Sequence, residues 1–195
     1  MAANFDPQLY FHVRVVMGMI LGLSVTRLLS GFAKFIQHPR EYQVSPLHLG
    51  WAASTLLNAI LFWWWEFRLA ELQHWTFTLY FFLLLYTSLF YFMCVLLFPD
   101  HLGDYSSYRA YFYDRRKWFF GILAVSHVMD FIDTIIKGGD YAQKAALFQE
   151  VEMVVMIAGC VIAISTRNPR YHAAFLILAL LDQFVRVGWL LNTIN

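Results

Sequence analysis

The sequence predicts an all-α fold, a polytopic transmembrane helix bundle of about six spans that occupies residues 1–195 as a single domain. Three observations predict it. Hydrophobic residues make up 60% of the chain and charged residues only 14%, well short of the roughly 25% charged residues of soluble domains. Apolar runs of about 20 residues, the length needed to cross a hydrocarbon core, recur between short polar breaks. Trp51, Trp63, Trp64, Trp65, Trp75, Trp118 and Trp189 fall near the ends of those runs, where an amphipathic ring meets lipid headgroups.

The first run covers about 9–36 and ends at Gln37-His38-Pro39, because proline cannot continue a helix. The second covers 47–69. The third covers 76–98 and is closed by Pro99-Asp100. A polar loop rich in tyrosine, 99–117, follows. The fourth run, 118–136, stops at Gly138-Gly139. The fifth, 145–166, stops at Asn168-Pro169, and the sixth covers 171–192. The segment Ile20-Leu21-Gly22-Leu23-Ser24 is similar to Ile122-Leu123-Ala124-Val125-Ser126, each in the first run of its half. This suggests two three-helix halves of inverted topology, an arrangement common in transporters. The N-terminal stretch Met1 to Pro7 lacks a basic region, so the first run is expected to be a retained span.

Lysine and arginine are distributed unevenly. The breaks after the first, third and fifth runs carry Lys34, Arg40, Arg109, Arg115, Arg116, Lys117, Arg167 and Arg170. The other side carries Arg68, Lys137 and Lys144. The positive-inside rule places the first set in the cytoplasm and both termini outside. Compact loops without an N-x-S/T sequon fit a multi-pass protein of a bacterial inner membrane.

Composition also excludes functions. A net charge of +1 without a long basic run gives no footprint for nucleic acid. Cys94 and Cys160 lie inside apolar runs and read as packing residues. Nucleotide and nucleophile motifs (GxGxxG, GxxxxGK, GxSxG) do not occur. His127 and Asp130 share a helix face, but two ligands do not make a metal site. A haem would need paired axial histidines. No metal and no cofactor is therefore expected, and membrane lipid is the one assured partner.

The informative residues are ionisable ones inside apolar runs, each costing about 2.5–3.5 kcal/mol at a span centre. Arg14, Glu66, His127, Asp130, Asp133, Gln149, Glu150, Glu152, Asp182 and Arg186 all count to the same half of the membrane once the alternating helix directions are allowed for. Asp133 can reach Lys137, and Asp182 can reach Arg186, at i,i+4. Arg14 begins a stripe, Gly18, Gly22, Thr26, Ser30 and Lys34, whose small residues admit a close neighbour inside the bundle or in a second copy. Glu66 and Arg68, beside three tryptophans, read as interfacial.

These residues predict an outward-facing polar cup with more acids than bases, lined by Arg14, His127, Asp130, Asp133, Gln149, Glu152, Asp182 and Arg186. Such a cup favours a cation, a proton or an amine-bearing ligand, which points to small-solute or cation transport or binding rather than catalysis. Two alternatives belong to other classes. One is an intramembrane lipid-modifying enzyme using His127, Asp130 and Glu152. The other is an accessory or assembly subunit that docks a partner through the aromatic loop from Tyr105 to Tyr113.

Overall fold

A computed structural model describes residues 7–38, 44–72, 74–103 and 105–193; the side chains at 7–8, 139–148 and 189–193 lie outside that description, as do Pro39 and Arg40. Six helices follow one another: α1 (Pro7–Gln37), α2 (Pro46–Trp65), α3 (Phe77–Leu97), α4 (Tyr108–Lys137), α5 (Gly139–Ser165) and α6 (Pro169–Thr193). A 3-10 segment, Glu66–Glu71, prolongs α2, and no strand occurs among the described residues. The protein is an all-helical membrane bundle.

Local chemistry sets the helix ends. Thr76 caps α3 by accepting from the Leu79 amide at 3.2 Å, and Ser107 caps α4 by accepting from the Ala110 amide at 3.3 Å. Pro46 and Pro169 stand at the first positions of α2 and α6, where the missing N–H costs nothing. Gly138 separates α4 from α5 with φ 58°, ψ −157°, a conformation open to glycine alone. The α4 helix begins ten residues before the expected 118, so most of the predicted tyrosine loop is its first turns.

The expected six spans reduce to about four. Leu9–Gln37, Phe77–Leu97, Tyr108–Lys137 and Pro169–Gly188 are the candidates long and apolar enough to cross a membrane among the described residues. The other two helices carry polar residues along their length: His48, Ser54, Thr55 and Asn58 on α2, and Gln149, Glu150 and Glu152 on α5. Most of these turn inward; Glu150 is exposed. The α2 helix touches α1, α3, α4 and α6 and forms the bundle's axis. The α1 helix packs along α3, whereas α4 and α6 meet through long side chains, so the packing of the first half does not recur in the second.

The two ends of the bundle differ in chemistry. Towards the starts of α2, α4 and α6 the core is aromatic. Trp51 is 2% exposed and packs edge-on against Phe119 and Phe120, so it belongs to the core and not to the interfacial belt expected for it. Trp118 and Trp64, at 66% and 49% exposed, fit that belt. His48 and His172 are fully buried and bond the Leu97 carbonyl at 2.7 Å and the Thr166 carbonyl at 3.1 Å. Arg116, expected as a loop cation, is buried too and donates to the Thr166 and Tyr113 carbonyls at 3.1 and 2.7 Å. Arg27 donates to the Phe98 carbonyl at 2.8 Å and to Asp100, whose exposed carboxyl this hydrogen bond holds below the ordinary range.

Small residues matter at places the sequence stripe did not mark. A Cβ on Gly31 would lie 2.3 Å from the Phe98 ring, and that ring is hemmed in by Phe32, Phe35, His48 and Tyr108. Gly31→Ala is therefore expected to destabilise the bundle by about 1–3 kcal/mol through overpacking. Chemical denaturation in detergent would measure this, and an unchanged midpoint would show that the Phe98 ring yields. Of the predicted stripe, Gly18 meets Trp63 within the bundle, with 3.0 Å available to a Cβ, while Gly22, Thr26 and Ser30 stay exposed.

Candidate functional site: a buried charge network

At the other end of the bundle, the ends of α4 and α6 and the beginning of α5 bring the predicted charges together. Arg186 is the hub. Its Nε donates to Asp182 Oδ2 at 3.0 Å, one helical turn back on α6. Its Nη1 reaches Asp130 Oδ2 on α4 at 3.2 Å, and its Nη2 pairs with Glu152 Oε2 on α5. A planar guanidinium with several diverging donors suits a site that must hold three carboxylates at once. The same group lies 5.5 Å from the Trp65 ring centre. Tyr86 of α3 donates to the other Asp130 oxygen at 3.1 Å, and His127 Nδ1 lies 3.4 Å from Glu152 Oε1.

A second cluster adjoins the first. The Lys137 ammonium donates to Glu66 Oε1 at 2.8 Å and pairs with Asp133 Oδ2. All three side chains are within 6% of full burial. The i,i+4 pairs expected for Asp133 with Lys137 and Asp182 with Arg186 are both present. Glu66, expected at the interface, is buried, because the 3-10 segment turns it under α2 against the end of α4.

The expected open cup is closed by these direct pairs. Two spaces remain beside the network. One, of about 20 Å³, is bordered by His127, Asp182, Gln183 and Arg186. The other, also about 20 Å³, is bordered by Glu66, Asp130, Asp133, Lys137, Gln149 and Arg186. Each holds about one water or one bare ion. Neither is large enough for a lipid chain. A larger space, about 540 Å³, opens among the starts of α2, α4 and α6, with Arg109 and Tyr113 on its wall.

Arg14 does not join the network. Its guanidinium lies over the Phe67 ring at 4.2 Å and near Trp63 at 5.6 Å, a cation–π arrangement between α1 and the end of α2. The reason is helix rotation: Gly18 seats Trp63 against α1, and the aromatic wall captures the arginine one turn away. The i,i+4 spacing marked Lys137 as a partner of Asp133 but not of Glu66. Trp65, expected at the interface, instead lies beside Arg186, and nothing local marked Tyr86.

Among the described residues, no group of three or more His, Cys, Asp or Glu side chains is arranged to hold a metal ion. The aromatic stretch proposed for partner docking is largely satisfied internally: Tyr105 donates to Asp114 at 2.6 Å, and Tyr108 and Tyr111 are buried. No family model, curated protein or solved structure matches this chain.

Proposed function

We propose that this protein binds and moves small inorganic cations, protons included, across a membrane through the charge network of α4, α5, α6 and the 3-10 segment. The observation that carries the reading is the charge balance. Among the described residues, Glu66, Asp130, Asp133, Glu152 and Asp182 form ion pairs with Lys137 and Arg186. Even with Arg14 and Arg68, which border adjoining spaces, acids outnumber bases. A surplus of carboxylate in a low-dielectric interior is neutralised by protons or by bound cations. The water-sized spaces favour a bare ion over the amine-bearing solute that composition alone allowed. The network lies in the half of the bundle opposite the lysine- and arginine-rich turns, so ions would enter from outside the cytoplasm of a bacterial cell.

The test is flux. Purified protein in liposomes, with a pH-sensitive dye inside and an imposed proton or alkali-cation gradient, is expected to move ions faster than empty vesicles. Vesicles with protein that stay at the empty-vesicle rate for every cation tried would overturn the proposal.

A further inference from the structure

We infer that His127 is the proton-binding residue of this network, taking up a proton on Nε2 from the water-sized space between α2, α4 and α6; the inference deepens the cation function proposed above and rests on it. His127 Nδ1 lies 3.4 Å from Glu152 Oε1, and the histidine side chain is 9% exposed. A carboxylate at that nitrogen favours the tautomer with the proton on Nδ1, which leaves a lone pair on Nε2. Nε2 has no hydrogen-bond partner. Gln183, 6% exposed, borders the same space of about 20 Å³. Its amide nitrogen donates to the Ser54 carbonyl at 3.1 Å and to the Ser54 hydroxyl at 3.0 Å, so Oε1, also unpartnered, is left as an acceptor. Trp51, on the same border, adds a buried N–H without a partner. Two acceptors and one donor around a space of this size suit a buried water, which makes about three hydrogen bonds.

The surrounding charges favour a proton at this place. The ionisable groups facing His127 are Glu152 of α5, Asp182 and Arg186 of α6, Asp130 one turn along α4 and, bonded to Asp130, Tyr86 of α3. The α2 helix contributes Trp51, Ser54, Thr55 and Asn58, which do not ionise. The space beside Glu66 is balanced, with Glu66, Asp130 and Asp133 against Arg68, Lys137 and Arg186. Among the described residues, Glu152 and Asp182, which share Arg186 with Asp130, are then in excess. An imidazolium at His127 offsets one of these negative charges. The step is a proton transfer alone. A hydronium in the space loses one O–H bond, an N–H bond forms at Nε2, and water remains. The Nδ1 proton stays towards Glu152, so the ring keeps its place while Nε2 loads and unloads.

The experiment uses the full chain in lipid bilayers, isotope-labelled in its histidine rings and glutamate carboxyls. Solid-state NMR singles out the His127 ring by its closeness to the Glu152 carboxyl. Lowering the pH is expected to add a proton at Nε2 while Nδ1 keeps its own. A ring whose Nε2 stays bare, or stays protonated, at every pH at which the protein remains folded would overturn the assignment. In liposomes with a pH-sensitive dye inside, His127→Gln is expected to lower proton flux to the rate of empty vesicles. The wild-type spectrum decides the matter should that variant not fold. A folded His127→Gln protein that moves protons as fast as wild type would overturn the assignment and leave the cation function standing. If wild-type vesicles move no cation at all, both fall.

Discussion

Arg186→Met is expected to destabilise the protein by about 3–5 kcal/mol, the cost of leaving buried charge without its partner. Three carboxylates on three helices converge on this one guanidinium: Asp130 on α4, Glu152 on α5 and Asp182 on α6. Removing it leaves them facing one another inside the bundle, with His127 beside Glu152 and the Tyr86 hydroxyl on Asp130. Arg186→Lys should fall between, because an ammonium keeps the charge but cannot span three acceptors in fixed directions. Adding Glu152→Gln to Arg186→Met should recover part of the loss, since it removes one of the stranded charges. Chemical denaturation in detergent reads all three variants. A methionine variant as stable as wild type would mean that the network does not tie α4, α5 and α6 together.

Lys137→Met is expected to cost a similar amount, about 3–5 kcal/mol, by stranding Glu66 and Asp133. Their side chains are 6% and 5% exposed, so water cannot take over the role of the ammonium. The pairing of Glu66 with Lys137 links residues 71 positions apart and fastens the 3-10 segment to the end of α4. Glu66→Gln in the Lys137→Met background should restore much of the stability, because an isosteric amide needs no counter-charge. The same denaturation experiment measures this. Failure of the second substitution to rescue would show that the lysine's packing, and not its charge, matters at this position.

Both predictions concern residues that the sequence flagged in unequal degree. Asp182 with Arg186 was legible as an i,i+4 pair, and His127 with Asp130 as one face of a helix, because helical spacing is a local property. That Arg186 also reaches Asp130 and Glu152 needed the rotation of α4 and α5 about their axes. The helix starts at Pro46, Thr76, Ser107 and Pro169 and the break at Gly138 follow from local chemistry in the same way. The start of α4 was misplaced because charged and tyrosine-rich turns look like a loop when apolarity is the criterion. Among the described residues, about four helices are long and apolar enough to cross a membrane, fewer than the six expected. Hydrophobic runs interrupted by His48, Asn58 or Glu152 are helices, but they depend on neighbouring helices to receive those polar groups.

By itself, the sequence determined that this chain is a helical membrane protein with an excess of acid gathered in one half of its bundle. Composition, run length and helical period carry that information without reference to any partner helix. Only the tertiary structure decided which charges meet. It sent Arg14 to the aromatic rings of Trp63 and Phe67, drew Glu66 inward to Lys137, and put Trp51 in the core. The physical reason is that a side chain's neighbours across a bundle depend on how each helix is turned and which small residues admit close approach. Those are properties of helix pairs, and a single run of sequence does not contain them.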